Sequence, residues 1–355
     1  MAIDKITTAA ITDGTITSSD LASGTVQNQS AFKNIMINGD MSLAQRSTSV
    51  SFITGSGYNT VDRFRTNMGT AGTWTQSQST DVPTGQGFAT SLKMDCTTAN
   101  GSLSAGSFLI IDQRVEGQNL QYLKKGTSSA ESTTMSFWVK SAKTGTYVAV
   151  LQDMDNSRSI SKSYTISSAN TWEKKTVTFP GDTTGAFGND NAASLKVQFW
   201  LVAGTTYSSG TLQTSWGTTT NANYAVGQVN LADSTSNEWY VTGVQLEAGT
   251  SASDFEFLPV DINKKRCERY FFKNAGNSHI GYAPSIGDNY RHETYYYPQE
   301  MRASPTITVT WDDQGSGTGT PGMQYIATQT ADIYTNMGNT TNIVAFSTVQ
   351  GDAEL

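Results

Sequence analysis

The chain has 355 residues, of which 37% are hydrophobic and only 15% are charged, and its formal net charge is −7. Its polarity comes mainly from Ser, Thr, Gly, Asn and Gln, which favour strands and turns over helix interiors. The sequence has no long Lys/Arg run of the kind that phosphate binding needs, so we expect no nucleic-acid binding. It also has no run of about 20 apolar residues, the length that spans a membrane, so we expect no membrane insertion.

The first predicted element is a repeat of five residues, which covers residues 6–30. Its large apolar members recur at every fifth position: Ile6, Ile11, Ile16, Leu21 and Val26. Neither a helix, with a period of 3.6, nor a half-buried strand, with a period of 2, produces this spacing. A segment that buries one side chain per repeat cannot build a core alone. We therefore interpret residues 1–31 as an attachment segment in which several copies intertwine along this apolar seam. The alternative is a tail with accidental spacing.

After residue 31 the sequence changes to short runs rich in Val, Phe, Trp, Tyr and Thr, bounded by Gly, Asn or Asp, which predict strands. Clear examples are SFLIIDQRVEG, TTMSFWVKS, GTYVAVLQD, SLKVQFWLVAG and NEWYVTGVQLEAG. In the last run, alternation places Tyr240, Val244 and Leu246 on the face opposite Trp239 and Val241. Many short strands with regular turn signals predict a β-sandwich or jelly roll over residues 32–260.

One helix is predicted, in PVDINKKRCERYFF, with Asp261 or Asn263 as its cap and Pro259 just outside. We interpret it as the joint to a second set of strands. The predicted fold is therefore all-β: the pentad segment 1–31, a jelly-roll sandwich 32–260 and a smaller C-terminal β domain 261–355.

The two cysteines, Cys96 and Cys267, have no metal-ligand or disulfide-ladder spacing, and we expect both to be buried and reduced. The N-terminal run MAIDKITTAA lacks the apolar core of a secretory signal, so none is expected.

Several phrases occur in a collinear order across roughly residues 32–310. They are KNIMINGDMSLAQRSTS, YNTVDRFR, DQRVEGQNLQYLKKGTSSAESTTMSFWVK, NTWEKKTVTFPGD, GVQLEAGTSASDFEFLP, INKKRCERYFFK and PQEMRASPTITVT. This set resembles tail fibre proteins of tailed bacteriophages, notably those of marine and cyanobacterial phages. The resemblance implies a jelly roll similar to carbohydrate-binding modules, a homotrimer, and a place on the virion, at the tail or the capsid surface. It also implies docking on other virion proteins through the N-terminal segment.

Two pairs of charged residues receive a structural interpretation. Asp62 and Arg63 in YNTVDRFR are expected to form an ion pair that closes the end of a sheet. Arg114 and Glu116 lie two positions apart on a strand and are expected to pair with each other.

Recognition of a glycan requires aromatic rings for the CH faces of sugars, with amide or charged groups beside them for the hydroxyls. The candidate rings are those outside the obvious core alternation: Trp74, Trp216, Tyr290, Tyr295 and Tyr297. Arg291 and His292 are candidates as their polar neighbours. Three consecutive tyrosines, 295–297, must place rings on both faces of a strand. The alternative is that most of these rings pack in the core or between subunits.

No catalytic motif of the HExxH, GxSxG or P-loop type is present, and the chain has only two histidines, so we expect no catalytic residues. A glycosidase with paired carboxylates stays open as an alternative, because such a site is defined by the distance between two carboxyl groups, which the sequence does not give. The loop with Asp153, Asp155 and Asn156 offers oxygen ligands but lacks the Gly and Glu of an EF-hand, so we interpret it as a hairpin turn. No metal and no cofactor is expected, with a structural calcium ion as the one candidate that the resemblance adds.

These observations together predict a virion fibre that adheres to the host cell by non-catalytic recognition of a bacterial surface glycan. Two alternatives stay open. One is a purely structural virion protein, either a head fibre or an adaptor, and the other is a polysaccharide depolymerase. The missing signal sequence and missing disulfides argue against a secreted carbohydrate-binding module.

Overall fold

A computed structural model describes residues 32–279, 290–313, 322–336 and 345–355. The five apolar residues of the pentad segment lie outside this part of the chain, so the intertwined segment stays a prediction. Within the described residues, no helix is long and apolar enough to cross a membrane.

The sandwich is built from short strands that follow one another from residue 49 to residue 248. They are β1 Ser49–Ile53, β2 Gly57–Tyr58, β3 Arg65–Gly69, β4 Thr73–Ser79, β5 Ser91–Thr98, β6 Phe108–Glu116, β7 Thr133–Ser141, β8 Gly145–Asp153, β9 Arg158–Ile166, β10 Glu173–Phe179, β11 Ala193–Ala203, β12 Gly217–Thr218 and β13 Glu238–Ala248. A helical turn, α1 Thr205–Ser208, follows β11, and helix α2 Val260–Glu268 follows β13.

Two antiparallel sheets face each other in this sandwich. The first sheet has the strand order β1-β4-β5-β13-β7-β10, and the second has the order β12-β9-β8-β11-β6-β3-β2. Aromatic rings fill the space between them, and Phe137 packs edge-to-face against Phe199 and Tyr164, with ring centroids 5.0 Å apart in both pairs. The non-consecutive strand order shows that crossovers join the two sheets, as in a jelly roll.

The C-terminal region adds two smaller sheets. Its strands are β14 Phe271–His279, β15 Tyr290–Tyr296, β16 Thr306–Asp313, β17 Gly322–Gln324, β18 Thr330–Asn336 and β19 Ala345–Asp352. The sheet orders are β14-β19-β16 and β15-β18-β17. Between them lies a separate small core that includes Phe272, Ile333 and Val349. The predicted all-β fold, with a jelly-roll sandwich and a smaller C-terminal β region, is confirmed, whereas the exact domain limits stay a prediction.

The predicted alternation along β13 is wrong in one respect. Trp239, Val241, Val244 and Leu246 all belong to the sandwich core. The register with β7 shifts between Thr242 and Gln245, so that a β-bulge adds one residue and reverses the parity of the strand. The bulge contains Gly243, whose φ of +62° suits glycine.

Helix α2 is confirmed, but its predicted cap is wrong. Pro259 occupies the cap position, and no side chain caps the helix there. Asn263 instead lies inside the helix, is buried, and accepts a hydrogen bond from the backbone N–H of Asn38 at 3.2 Å. The residue therefore attaches the helix to the sandwich. The two cysteines are buried and form no disulfide, as predicted.

The predicted pairing of Asp62 with Arg63 is wrong, because each side chain has a different partner. Asp62 accepts hydrogen bonds from the backbone N–H of Gln45 at 3.0 Å and from its amide at 2.7 Å. Arg63 is fully buried, forms an ion pair with Glu354, and stacks 3.4 Å from the ring centroid of Tyr270. The C-terminal region thus supplies the counter-charge of an arginine in the sandwich.

The predicted pairing of Arg114 with Glu116 is also wrong. Glu116 is buried and receives two hydrogen bonds, each 2.8 Å long, from the guanidinium of Arg269. Arg114 has its Nε 3.8 Å from a carboxylate oxygen of Asp112. A paired arginine and carboxylate therefore join the C-terminal region to the sandwich at this point as well.

Candidate functional site

Of the two tryptophans predicted to bind a glycan, Trp74 is excluded by its position. Its side chain is 0% exposed within the sandwich core, and its Nε1 donates a hydrogen bond to the carbonyl of Ala71 at 2.7 Å. The ring lies on the inward side of β4, where no ligand can stack on it. The prediction for Trp74 is corrected for this reason.

Trp216 is half-buried and has structural partners. Its Nε1 donates a hydrogen bond to the carbonyl of Pro180 at 2.8 Å, and the ammonium of Lys125 lies 5.5 Å from its ring centroid. The ring packs against the sandwich core and covers Lys125. Its role as a ligand contact stays a prediction.

Strand β15 and the residue that follows it place the tyrosines 295–297 on alternate faces, as expected from the sequence. Tyr297 is buried in the C-terminal core, and Tyr295 stacks on Phe272 with ring centroids 6.5 Å apart. Tyr296 points the other way and is 73% exposed. The side chains of Tyr290 and Arg291 lie outside the described residues, although their backbone belongs to β15.

The outer side of the β15-β18-β17 sheet forms one candidate surface. We call it the C-terminal face, and it consists of His292, Tyr296, Gln324, Asp332 and Tyr334. One oxygen of Asp332 lies 2.7 Å from Nδ1 of His292 and accepts a hydrogen bond from Gln324 at 2.8 Å. The imidazole also stacks on Tyr334, with ring centroids 6.2 Å apart. This face offers polar groups beside an exposed ring.

A second candidate surface lies on the outer side of the first sheet of the sandwich. We call it the sandwich face, and its members come from β5, β7 and β13 and the two segments beside them: Asp81, Lys93, Trp138, Lys140, Trp172, Glu238 and Tyr240. Strand pairing places Tyr240 directly between Lys93 on β5 and Lys140 on β7. Trp138 lies two positions from Lys140 on the same side of β7.

The charged groups of the sandwich face are held in fixed positions. Lys140 forms an ion pair with Asp81, and its ammonium lies 4.3 Å from the ring centroid of Tyr240. Asp81 also accepts a hydrogen bond from Nε1 of Trp172 at 2.9 Å. One oxygen of Glu238 accepts from Lys93 at 2.6 Å and the other accepts from the Tyr240 hydroxyl at 2.7 Å.

These contacts also fix the protonation of the two carboxylates. Partial burial alone would raise the pKa of Asp81, but the hydrogen bonds from Lys140 and Trp172 lower it below its usual value. In the same way, the hydrogen bonds from Lys93 and Tyr240 outweigh partial burial and lower the pKa of Glu238. Both groups are therefore ionised at neutral pH, where they can accept hydrogen bonds but cannot act as general acids.

Two rings of the sandwich face remain accessible. Trp138 is half-buried, and no described residue places another ring or a cation over it. Trp172 is also half-buried, and it meets Tyr240 edge-to-face with ring centroids 6.2 Å apart. Sequence reasoning missed both rings. Strand parity is the signal that could have found Trp138, since Met135, Phe137 and Val139 point into the core.

The predicted turn at 153–156 is held by an ammonium group. Lys125 places its Nζ 2.5 Å from Asp153, 3.1 Å from Asp182, 3.0 Å from the carbonyl of Thr184 and 2.7 Å from that of Gly185. A positive charge thus lies at the centre of a cluster of oxygen atoms. Within the part of the chain that the structure describes, no group of three or more His, Cys, Asp or Glu side chains is placed to hold a metal ion.

No protein family model matches the chain, and no curated protein matches it. Among solved structures, it is similar to the enzymatically active domain of tailspike protein 4 of bacteriophage CBA120, at 14% identity and a TM-score of 0.32, over 61% of this chain and 21% of that one. The chain therefore spans about a fifth of that tailspike domain.

Two carbohydrate-binding modules are similar as well. TmCBM61, solved in complex with β-1,4-galactotriose, has 9% identity and a TM-score of 0.31, over 61% of this chain and 98% of the module. The family 11 module of the cellulosomal cellulase Lic26A-Cel5E of Clostridium thermocellum has 12% identity and a TM-score of 0.27, over 56% and 98%. These likenesses concern the fold alone.

Proposed function

We propose that this protein is a subunit of a phage virion fibre, and that it attaches the particle to a bacterial cell by binding a surface glycan without cleaving it. The single observation that carries glycan binding is the sandwich face, where accessible rings stand beside fixed charged groups. The resemblance of the phrases between residues 32 and 310 to phage tail fibres supports the place on the virion. The pentad spacing supports an assembly of several chains, and the same resemblance supports three chains and docking on other virion proteins through residues 1–31.

The chemistry of the sandwich face suits a saccharide. The flat faces of Trp138 and Trp172 can pack against the CH groups of sugar rings. Beside them, the ion pairs Lys140–Asp81 and Lys93–Glu238 provide both donors and acceptors for hydroxyl groups. One such site is weak, but three copies per fibre and several fibres per particle would raise the apparent affinity about 10²- to 10⁴-fold.

The ionised state of Asp81 and Glu238 favours binding over cleavage. A glycosidase needs one carboxylic acid that is still protonated near neutral pH and a second carboxylate on the other side of the bond. Both carboxylates of the sandwich face have pKa values that hydrogen bonds lower, so neither supplies that acid. The proposal is therefore a non-catalytic adhesin.

A binding assay on polysaccharide from a susceptible bacterium tests the proposal. We expect the full chain to bind and Trp172→Ala to lose about tenfold or more in affinity, which corresponds to about 1.4 kcal/mol. Tyr122→Ala, which removes a ring that is 49% exposed and belongs to neither face, is the matched control. Release of reducing sugar would instead establish a depolymerase. Failure to bind any susceptible strain would favour a head fibre or adaptor.

Light scattering on the full chain and on a chain that begins at Phe32 tests the assembly. We expect a trimer that weakens when residues 1–31 are removed. A trimer of equal stability in both chains would assign assembly to the β regions, and a monomer in both would contradict the fibre.

A further inference from the structure

We infer that the protein has a second saccharide site, in a groove between the sandwich loop at Arg46 and the outer side of the β14-β19-β16 sheet, and that this site accepts uncharged sugars. The inference rests on the proposed function, because it assumes that the protein recognises glycans. The groove is separate from the sandwich face and from the C-terminal face. Its volume of about 760 Å³ lies within the usual range for small-molecule sites.

The lining of the groove follows from strand register. Phe271, Asp352 and Thr306 form one row across the sheet, and Gln350 and Thr308 lie in the next row. Side chains two positions apart on a strand point to the same side, so both rows face the groove. The opposite side of the same strands carries Phe272, Ile307 and Val349, which belong to the C-terminal core. The groove is therefore the polar side of a sheet whose other side is buried.

One end of the groove is formed by Arg46, which is held against the sheet. Its guanidinium lies 3.6 Å from the ring centroid of Phe271 and donates to Asp352 at 2.9 Å and to Glu354 at 3.4 Å. The side chain is only 12% exposed, so its position is fixed before any ligand arrives. A fixed side chain loses little conformational freedom on binding, which favours affinity.

The hydrogen-bonding capacity of the groove is largely unused. Among the described residues, the side chains of Thr306, Thr308 and Gln350 make no hydrogen bond. Two hydroxyls and one amide thus provide donors and acceptors within about 5 to 7 Å of one another, the spacing of neighbouring positions in a sheet. Sugars, which carry a hydroxyl on nearly every carbon, match this arrangement.

The charges of the groove indicate which sugars fit. Arg46 pairs with Asp352 and shares Glu354 with Arg63. Arg302, the other cation in the lining, donates to the carbonyls of Ala353 at 2.5 Å, Glu354 at 3.1 Å and Asn191 at 3.2 Å. Lys273, beside Gln350 in the same row, donates to the carbonyl of Arg46 at 3.5 Å, so the cations around the groove already have partners within the protein. The groups left for a ligand are the neutral side chains of Thr306, Thr308 and Gln350, which indicates an uncharged oligosaccharide.

The test uses the full chain with labelled threonine methyl groups, titrated with β-1,4-galactotriose, chitotriose and a trisaccharide of uronic acids, each to about 10 mM because single weak sites have millimolar constants. We expect one of the neutral sugars to shift the methyl resonances of Thr306 and Thr308. The shifts should persist in Trp138→Ala, whose sandwich face is impaired. Thr310, on the same side of β16 but outside the groove lining, is the internal control and should not move.

Variants then measure the groove contribution. Thr308→Val keeps the shape of the side chain and removes its hydroxyl, and we expect it to weaken groove binding about fivefold, the effect of one lost hydrogen bond. Thr310→Val is the matched control and should leave the affinity unchanged.

The outcomes separate this inference from the proposed function. If only resonances of the sandwich face move, the groove inference is wrong and glycan binding stands. If no sugar moves Thr306 or Thr308, the groove inference is again wrong, and adhesion is judged by the polysaccharide assay. A stronger response to the uronic acid sugar would overturn the assignment of an uncharged ligand.

Discussion

The sandwich face and the C-terminal face both place aromatic rings beside polar groups on the outside of a β-sheet, but they are supported differently. Beneath the sandwich face lies the large core that contains Trp74, Phe137 and Trp239. Beneath the C-terminal face lies a much smaller core around Phe272 and Ile333. The depth of packing below a surface decides how firmly its side chains are held.

The rings themselves show the same contrast. Trp172 is tied to Asp81 by its indole N–H, whereas Tyr296 is 73% exposed. Immobilising a free side chain on binding costs about 0.5–1.5 kcal/mol. On the sandwich face the ring of Trp172 is already held in the folded protein, so this cost does not arise on binding. Two surfaces of similar composition should therefore differ in affinity, and the following predictions test that difference.

The largest expected effect comes from removing the ammonium that organises the sandwich loops. Lys125→Met leaves the buried carboxylates Asp153 and Asp182 without that counter-charge, and we expect the free energy of unfolding to fall by about 3–5 kcal/mol. Urea unfolding followed by tryptophan fluorescence measures it. Lys124→Met, one position away and 54% exposed, should have little effect. Equal losses in the two variants, or a wild-type melting temperature that rises with added calcium, would contradict this role.

The next effect is a pH dependence at the junction of the two regions, where Gln45 donates to Asp62 at 2.7 Å and to the carbonyl of Phe271 at 3.0 Å. Burial raises the pKa of Asp62 to about 6, although the hydrogen bonds from Gln45 act to lower it. The folded state therefore favours the protonated carboxyl. Its contribution is fully present below about pH 4 and is lost as the pH rises through 6, a change of up to about 3 kcal/mol.

The variant Asp62→Asn should remove this pH dependence of the free energy of unfolding between pH 4 and 7, while Asp261→Asn, at an exposed position in helix α2, should keep it. Chemical unfolding at several pH values measures the slope. An unchanged slope in Asp62→Asn would show that another group titrates.

A smaller effect is expected on binding through the sandwich face. Trp138→Ala should weaken binding to the host polysaccharide about tenfold, or about 1.4 kcal/mol, because it removes an accessible ring above a rigid core. Its thermal stability should change less than that of a core variant, since the ring is only half-buried. Full affinity in this variant would remove the sandwich face as the main site.

The smallest effect is expected on the C-terminal face. Tyr296→Ala should change affinity for the same polysaccharide by less than about twofold, the usual range for an exposed position. The two variants are compared in one assay. A larger loss for Tyr296→Ala than for Trp138→Ala would reverse the ranking of the two faces.

The sequence predicted much of the fold because local patterns determine it. Strand alternation identified the sandwich, and the tyrosines of β15 fell on alternate faces as the period of a strand requires. The predicted alternation was wrong at Gly243, where a β-bulge with no signal in the sequence reverses which residues of β13 face the core. Local reasoning also failed for the ion pairs, because the partners of Arg63 and Glu116 lie 291 and 153 positions away.

The candidate site was less predictable than the fold. The polar neighbours of Trp74 predict an exposed ring, yet the ring lies in the core. Trp138 lies within a largely apolar run, which predicts a buried ring, yet it is only half-buried. Which side of a strand faces water depends on what packs against it, and that requires the second sheet. The grouping of Lys93, Lys140 and Glu238 likewise depends on the strand order of the first sheet, which residue spacing does not encode.

The ion pair between Arg63 and Glu354 has a consequence for synthesis. A ribosome that adds about 5–20 residues per second needs about 15 to 60 s to add Glu354 after it has added Arg63, since 291 positions separate them. Throughout that interval the arginine has no counter-charge and must stay hydrated, because an unpaired buried guanidinium is costly. We therefore expect the sandwich to close around Arg63 late in synthesis, and a chain that stops before residue 354 to keep this site open to water.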